Sequence, residues 1–575
     1  MKSTLTIRSI LTGLIIGAIL TPCNIYSGLK IGWSFNMSIT AALLGYGVWR
    51  SFAKITGHMT WSKQENVYNQ TTASAAASII SGGLVAPIPA YTMITGNTLP
   101  LPILMFWVCL VSLLGVIVAV GLRQQMLINE KLVFPSGVAT AETINDIHSE
   151  DSQSHHKLFW LFSMGSLAFI HKIINDLFFS ISKFPLLYFL PKATIQGVIV
   201  SAKKLGFLID PSFLMIGFGI IMGIRSGISL LIGAILCWGL LAPFILWMQW
   251  MPLDAEINSY FGPLVSWTLW PGVGLMVSSS LTSFLFNISR QLKVREHSAK
   301  NKNSILLNPK FIFSLILATL VLAWAQQSIF NIPIFMGMLA VFSSILLGVV
   351  SSRVSGETGI PPIGALGKVT QLTFGFLNPG QISANLMTAN VTGGAAGQSS
   401  DLLHDLKAGL LLKVSYKKQI VAQCIGIFMG AIVGSVVYAY LIPDPTNQLL
   451  TSQWPAPAVA TWKSVAELVA QGSQAFPPGA QMALITGSIV GILLAILEKL
   501  LPAIYLRWIP SASTMGLAFI IPAWTSLTMF FGALLAYVLS RYQPSFAKKF
   551  LLVIAAGFVA GESMAGVIST IISAF

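Results

Sequence analysis

The sequence predicts an all-α polytopic membrane protein with about 14–16 transmembrane helices, some of them broken into half-helices. Three observations support this fold class. The 575 residues are 55% hydrophobic and only 9% charged, whereas a soluble domain carries about 25% charged residues. Mean hydropathy is +0.78. Apolar runs that approach or reach the length of a bilayer crossing recur along the chain, for example at 311–325, 420–442 and 550–575.

The charge balance argues against nucleic-acid binding. The net charge of +15 comes from 33 Lys and Arg against 18 Asp and Glu. These basic residues lie mostly in short loops between apolar runs, as the positive-inside rule expects. The four cysteines form no CxxC pair, which indicates neither a disulfide framework nor a zinc site. We therefore expect no cofactor and no metal site, and a lipid bilayer as the surroundings.

The chain begins with an apolar segment at 7–23. No A-x-A cleavage site follows it, so we predict the first membrane helix rather than a signal peptide. Later apolar segments include 185–201 and 211–222. The basic segment 290–310 is predicted to be a cytoplasmic linker between a first transmembrane half, 1–289, and a second, 311–575.

Weak similarities in the same order indicate that the two halves are pseudo-repeats. Ile220–Leu236 aligns with Phe519–Leu535, which places Gly233 on Gly532. Parallel repeats of this kind are related by an axis along the membrane normal, with the transport path between them. The alternative is a chance similarity between helices rich in glycine, serine and alanine.

Two polar, glycine-rich stretches, 24–33 and 388–407, lie among the apolar segments. An unpaired backbone or a charge is costly in hydrocarbon, so such stretches indicate a substrate route sheltered by protein. In the second stretch, Ser399 or Ser400 is predicted to cap a new helix near Asp401, whose free N–H groups favour an anionic group. The alternative is a cytoplasmic helix cap with solvated charges.

Ionisable and polar side chains near these stretches are the candidate site. Asp401, His404 and Asp405 fall on one helical face, although that spacing alone is weak evidence for a metal. Pro361 and Pro362 lack a helical N–H and predict a helix break within 355–368. Burial of Glu357, near this break, or of Glu562, in the last apolar run, would favour a proton-carrying carboxyl. Alternatively, Glu357 pairs with Arg353, and Glu562 hydrogen-bonds another helix break.

In the first half, Lys30 follows Asn24 and Tyr26 and could meet a substrate carboxylate or reach for the interface. Gln70, Ser74 and Ser78 recur at four-residue spacing and could line the path or hold helices together. Three further ionisable residues lie near helix ends and are weaker candidates: Glu142, His171 and Asp176.

The chain resembles the oligopeptide transporter (OPT) family, which includes the yellow stripe-like metal-chelate transporters. The resemblance is carried by NIYSGLKIGW at 24–33, FPSGVATAETI at 134–144, GIPPIGALGKVTQLTFGFLNPG at 359–380 and AAGFVAGESMAGVI at 555–568, together with the stretch 388–407. It implies a secondary active importer of small peptides or peptide-like chelates, driven by a proton gradient. We expect this importer in a bacterial inner membrane. A homodimer is one alternative for its oligomeric state.

We expect substrate-binding and proton-coupling residues within these motifs. The predicted substrate-binding residues are Asn24, Tyr26, Lys30, Gln70, Asn390, Gly393, Gly394, Gln398 and Asp401. The predicted proton-coupling residues are Glu562, Glu357 and Asp405.

Three alternative functions remain at this stage: an importer of metal chelates or siderophores, a passive channel and a membrane enzyme. The enzyme is the least favoured, because the chain has no G-x-S-x-G, HExxH or P-loop motif.

Overall fold

The structure is a computed structural model that describes residues 5–32, 36–57, 61–148, 153–178, 183–185, 193–195, 198–251, 257, 259–295, 309–359, 361, 363–502, 505 and 509–574. Helices make up most of this part of the chain, and twelve helical spans within it are long and apolar enough to cross a membrane. The all-α polytopic fold class is therefore confirmed. The apolar runs predict more crossings, because they also include segments that are shorter or more polar than these twelve.

Helices α1 to α11 precede the basic segment 290–310 or run into it. They are α1 (Ile7–Ile31), α2 (Ser38–Thr56), α3 (Lys63–Ala77), α4 (Pro87–Thr95), α5 (Leu101–Arg123), α6 (Pro135–Ile147), α7 (Gln153–Ile173), α8 (Phe213–Met222), α9 (Ile224–Ala234), α10 (Ala242–Trp247) and α11 (Phe261–Arg295). A 3-10 turn, Ser78–Gly82, follows α3, and π-helical turns extend α5 (Gln124–Asn129), α7 (Ile174–Phe178) and α9 (Ile235–Leu241).

The remaining helices follow that segment. They are α12 (Pro309–Phe330), α13 (Ile334–Thr358), α14 (Ile363–Leu377), α15 (Ile382–Leu411), α16 (Tyr416–Leu441), α17 (Pro445–Gln448), α18 (Pro457–Gln471), α19 (Ala480–Leu500), α20 (Ala512–Leu517), α21 (Ala523–Tyr542), α22 (Pro544–Phe546) and α23 (Leu552–Ala574). A 3-10 turn, Gly472–Ala475, follows α18, and a π-helical turn, Ala547–Leu551, precedes α23.

The predicted membrane helix at 185–201 is wrong. The structure has short antiparallel strands around it: β1 (Phe184–Pro185) pairs with β4 (Leu208–Ile209), and β2 (Ala193–Ile195) pairs with β3 (Val198–Val200). The residues of β2 and β3 are largely β-branched and favour an extended backbone. Hydropathy alone does not separate such an apolar run from a helix.

The chain forms two compact units, and each takes segments from both predicted halves. Unit 1 comprises Met1–Gly28, Trp33–Phe159 and Asn287–Pro443, and unit 2 comprises Leu29–Gly32, Trp160–Phe286 and Asp444–Phe575. The units therefore do not coincide with 1–289 and 311–575. The division of the chain into two repeated halves concerns sequence order, and it stays a prediction.

Within each unit, helices from distant parts of the chain pack together. In unit 1, α15 packs against α5, α13 and α14, and α3 packs against α2 and α16. In unit 2, α21 packs against α8 and α9, and α23 packs against α8. An aromatic core that includes Trp238, Tyr260 and Trp267 stabilises unit 2.

One predicted helix break is confirmed and two are wrong. α13 ends at Thr358, Gly359 adopts a left-handed conformation with φ of 84°, and α14 begins at Ile363. By contrast, α1 continues through Pro22 to Ile31, and α15 is helical from Ile382 to Leu411. Burial against neighbouring helices offsets the low helix propensity of the glycines in α15.

Candidate functional site

α3 is a polar helix in the interior of unit 1. It begins with a capping box, in which Ser62 Oγ accepts the Glu65 N–H at 3.2 Å and Glu65 Oε2 accepts the Ser62 N–H at 3.0 Å. Arg8 Nη2 donates to the same carboxylate at 2.8 Å. Every residue from Glu65 to Ala77 is buried. Because polar side chains inside a membrane protein line a polar path or hold helices together, α3 is one wall of the candidate site.

α15 is the second polar helix of unit 1, and its glycines set how closely it packs. A Cβ atom on Gly394 would lie 2.4 Å from Ser81 O, a backbone atom of the 3-10 turn after α3. A Cβ atom on Gly393 would have its nearest neighbour, Gly367 Cα, at 3.7 Å, which is an ordinary contact. Close helix packing therefore accounts for Gly394. A substrate-binding role for either glycine stays a prediction.

Three predicted substrate-binding amides form hydrogen bonds within unit 1. Asn390 Oδ1 accepts the Trp107 Nε1–H at 2.8 Å, which ties α15 to α5. Gln398 Oε1 accepts the Ser81 hydroxyl at 3.0 Å. Asn24 Nδ2 donates to Ala77 O at 2.9 Å, so it satisfies a carbonyl at the end of α3. These bonds give each amide a structural role.

The predicted cap within α15 is absent. Ser399 Oγ donates to Ala396 O at 2.9 Å, within the same helix. Ser400 Oγ lies 3.2 Å from Ser351 Oγ of α13. Because α15 continues through these residues, no free helix end faces Asp401 from its own helix. The sequence-based argument for an anion site at this point is therefore wrong.

Asp401 and Asp405 lie one helical turn apart on α15, in a group of polar side chains from α15, α2, α3 and the residues next to α2 and α3. Asp405 Oδ1 accepts the Ser38 hydroxyl at 2.7 Å, and Ser38 Oγ lies 3.0 Å from Ser74 Oγ of α3. Gln70 lies beside the Asp405 carboxyl, and Ser78 and Asn36 lie beside the Asp401 carboxyl. We call Asp401, Asp405, Ser38, Ser74, Gln70, Ser78 and Asn36 the Asp405 cluster.

His404 faces a different part of unit 1. Its Nδ1 accepts the Gly137 N–H at 3.3 Å, and its Nε2 lies 2.9 Å from Ser355 Oγ. Since Nδ1 is an acceptor, the proton of the neutral ring is on Nε2, which donates to Ser355. Both ring nitrogens therefore have partners that hold α15 to α6 and α13. Asp401, His404 and Asp405 do not form one ligand set.

Glu562 belongs to α23, and its carboxylate lies at the N-terminus of α8, inside unit 2. Its Oε1 accepts the Ser212 hydroxyl at 2.6 Å and its Oε2 accepts the Leu214 N–H at 2.8 Å. Glu562 is 4% exposed. A carboxylate at a helix N-terminus is stabilised by the free N–H groups and by the helix dipole. This geometry matches the alternative expectation for Glu562, a hydrogen bond to another helix break.

Several other charged side chains of unit 2 lie around Glu562 or near it. Lys172 Nζ pairs with Asp176 Oδ1 at 2.9 Å, and Ser569 Oγ donates to Asp176 Oδ2 at 2.6 Å. Lys183 Nζ lies 3.5 Å from Asp210 Oδ2 and 3.6 Å from the centre of the Trp524 ring. This group brings together basic and acidic side chains, as a zwitterionic solute requires.

The other predicted residues are distributed over both units. Lys30 belongs to unit 2, where its Nζ donates to Gln453 O and lies 4.9 Å from the Trp454 ring centre. Tyr26 is 3% exposed in α1. Glu357 is exposed at the end of α13, while Arg353 pairs with Glu130. Of the weaker candidates, Glu142 is exposed on α6, His171 contacts the edge of Phe213, and Asp176 pairs with Lys172.

Sequence analysis missed two members of the polar surroundings of Asp405. Ser38 is the first residue of α2, and nothing in its local sequence connects it with α15. Gln419 of α16 donates from Nε2 to Asp405 O at 2.9 Å and to Thr71 Oγ1 at 3.3 Å. The one available signal was a pair of uncharged polar residues, Gln419 and Gln423, one helical turn apart in the first turns of α16.

Comparison with known proteins gives one family. The family model described as OPT oligopeptide transporter protein matches residues 4–573. A putative oligopeptide transporter of Saccharomyces cerevisiae is 24% identical, over 98% of this chain and 95% of its own length. The metal-nicotianamine transporters YSL3 and YSL2 of Arabidopsis thaliana are each 26% identical, over 98% of this chain and 90% and 92% of their own lengths, respectively.

Proposed function

Because this chain belongs to the oligopeptide transporter (OPT) family, we propose that it is a secondary active transporter that imports small oligopeptides or peptide-like compounds and is driven by a proton gradient. The chain is a multi-pass membrane protein. We further propose that it acts in a bacterial plasma membrane. Metal chelates of the nicotianamine type are the second candidate substrate, because relatives that align over most of their length are named as metal-nicotianamine transporters.

The observation that carries the proposed coupling is the burial of Asp405 in a polar cluster of unit 1. Asp405 is 1% exposed, and neither it nor Asp401 forms an ion pair with any described residue. A buried carboxylate without a basic partner is costly, and uptake of a proton removes most of that cost. A group that gains and loses a proton with little rearrangement suits ion-coupled transport.

The other two predicted proton-coupling residues have less suitable surroundings. Glu562 accepts two hydrogen bonds at the α8 N-terminus, which stabilise its charged form. Glu357 is exposed and therefore lacks the burial on which its prediction depended. We propose Asp405 as the primary proton carrier and keep Glu562 as the second candidate.

Substrate recognition is proposed to use groups of both signs. A peptide carries an ammonium and a carboxylate, and a nicotianamine-type chelate carries several carboxylates and amines. In unit 2, both charges are supplied by Lys172 and Asp176 at the end of α7 and by Lys183 and Asp210 beside the strands β1 and β4. Cation–π and ion-pair contacts of this kind orient a zwitterion without any metal ligand from the protein.

The test is uptake by the purified protein in proteoliposomes with an imposed pH step, acidic outside. Labelled dipeptides to tetrapeptides and an iron–nicotianamine chelate are supplied separately. We expect one class to accumulate above its outside concentration, and a protonophore to abolish the accumulation. Competition between the two classes identifies the substrate. Flux that ignores the pH step indicates a channel, and a chemically altered solute indicates an enzyme; either result contradicts the proposal.

A matched pair of variants tests the proton carrier. Asp405→Asn keeps the shape of the side chain but has no carboxyl to titrate, so uptake should no longer respond to the pH step. Ser399→Ala on the same helix removes only a hydroxyl that bonds within α15, and its uptake should equal that of the wild type. Full pH-driven accumulation by Asp405→Asn would exclude Asp405 from this role.

A further inference from the structure

In the Asp405 cluster two buried acceptor atoms, and one buried donor atom (Asn36 Nδ2), lack a hydrogen-bond partner among the described residues. Asp405 Oδ2 has no hydrogen-bond partner among the described residues. Neither has Gln70 Oε1, although Gln70 is fully buried and its Nε2 donates to Thr71 Oγ1 at 3.0 Å. Leaving buried acceptors without a donor or cation is costly. Two such oxygens on neighbouring side chains are satisfied by a proton when Asp405 is neutral, and by a bound cation when Asp405 is charged.

The charged groups around the cluster have partners of their own. On α3, Glu65 pairs with Arg8. On α15, Lys407 Nζ donates to Leu132 O at 2.8 Å, and His404 bonds to Ser355 and Gly137. None of these groups neutralises Asp405. The negative charge at the cluster is therefore available to a ligand that enters it.

We infer that the Asp405 cluster is a binding site for a small monovalent cation, with Na+ as its ligand. The proposed ligand atoms are Asp405 Oδ2, Gln70 Oε1 and the hydroxyl oxygens of Ser38 and Ser74. All of them are oxygens, which hard cations prefer to nitrogen and sulfur. This inference goes beyond the proposed function, because it concerns equilibrium binding of a cation and holds whichever gradient drives uptake.

The proposed ligand set favours a monovalent ion over a divalent one, because Asp401, the second carboxyl of the cluster, lies beside Ser78 and Asn36 and is not one of the ligands. Asp405 contributes one carboxylate oxygen without a partner, and the other proposed ligands are neutral. Ca²⁺ sites use six to eight oxygens, often several carboxylates, and Mg²⁺ retains several waters.

The experiment measures cation binding to the full chain in detergent, without substrate or gradient. The thermal unfolding midpoint is recorded against NaCl, KCl, choline chloride and CaCl₂ at constant ionic strength, and ²²Na⁺ binding is measured directly. We expect a saturable rise of the midpoint with NaCl alone and stoichiometric ²²Na⁺ binding. A rise that is the same for NaCl, KCl and choline chloride, or ²²Na⁺ that CaCl₂ displaces more readily than NaCl does, overturns the assignment.

Matched serine variants keep the inference testable if Asp405→Asn does not fold. Ser74→Ala removes one proposed ligand and should weaken Na+ binding by about tenfold, the equivalent of about 1.4 kcal/mol. Ser399→Ala removes a buried hydroxyl elsewhere on α15 and should leave the affinity unchanged. Equal affinities of these two variants contradict the site. Because no transport is measured, a negative result here leaves the proposed import untouched, and failed uptake leaves the cation site untouched.

Discussion

The two adjacent glycines of α15 should respond in opposite ways to the same substitution. A methyl group on Gly394 would lie 2.4 Å from Ser81 O and 2.6 Å from Val111 Cγ1. Each distance is about 1 Å shorter than an ordinary contact. Ser81 O belongs to the backbone, so a whole turn of chain would have to move. A methyl group on Gly393 would meet nothing closer than 3.7 Å.

The magnitudes follow from two opposing terms. Replacing a glycine by alanine inside a helix stabilises it by up to about 1 kcal/mol. Forcing one extra methyl into a packed interior costs about 1–3 kcal/mol, and the backbone contact at Gly394 places it at the upper end. We expect Gly394→Ala to lose about 1–2 kcal/mol and Gly393→Ala to gain up to about 1 kcal/mol.

The assay is equilibrium unfolding of both purified variants in the same detergent, followed by circular dichroism. The predicted difference of about 1–3 kcal/mol between neighbouring positions exceeds the usual uncertainty of such measurements. Equal stabilities would refute the packing argument. The Michaelis constant for uptake is the second measurement: if Gly393→Ala raises it severalfold while the protein remains stable, the glycine contacts substrate, as sequence analysis predicts.

The remaining predictions concern buried hydrogen bonds. Glu562→Gln keeps an oxygen for the Leu214 N–H and should lower the free energy of unfolding by about 1 kcal/mol, whereas Glu562→Ala leaves that N–H without an acceptor and should cost about 2–4 kcal/mol; equal unfolding midpoints would contradict the capping role. Trp107→Phe should cost about 1–2 kcal/mol by removing the donor to Asn390. In a double-mutant cycle Asn390→Ala should then add less than it does alone, and strict additivity would show that the two side chains do not interact.

The fold class and one helix break could be predicted from the sequence because their causes are local. Low charge and long apolar runs identify membrane helices wherever they occur. The Pro361 region breaks the helix because proline lacks an N–H and Gly359 accepts a left-handed conformation. The stretch 24–30 has polar groups too, yet it stays helical, because Asn24 finds a partner in α3. That partner lies far away along the chain and leaves no local signal.

Sequence analysis predicted the two carboxylates of the candidate site and the neighbouring side chains Gln70, Ser74 and Ser78, but it missed Ser38 and Gln419. The spacing of Asp401 and Asp405 places both carboxylates on one helical face, and the structure brings them together. The same spacing grouped His404 with them, although it lies about 100° around the helix from Asp405. Its ring is drawn to Ser355 and Gly137, which are contributed by other helices. Tertiary contacts therefore decided which members of the pattern share a site.

Two helix pairs of unit 2, α8 with α9 and α20 with α21, support the internal repeat, because each pair makes the same contact with the other. The alignment that places Gly233 on Gly532 also places Ile216 on Met515, without a gap. A Cβ atom on Gly233 would lie 2.5 Å from Met515 O, and one on Gly532 would lie 2.2 Å from Ile216 O. The second helix of each pair (α9 or α21) therefore packs its glycine against the first helix of the other pair (α20 or α8), and the two contacts are at aligned positions.

The helix starts of these two pairs agree as well. Ser212 accepts the Met215 N–H at 3.3 Å at the start of α8, and Ser511 accepts the Thr514 N–H at 3.4 Å at the start of α20. Both serines follow a proline, and the same alignment superposes them. Chance similarity between glycine-rich helices would reproduce their composition, but it gives no reason for aligned caps together with exchanged contacts. Duplication of one helical hairpin, followed by packing of the hairpin against its copy, explains both the aligned serine caps and the exchanged glycine contacts. The interface between two such copies contains the same contact twice.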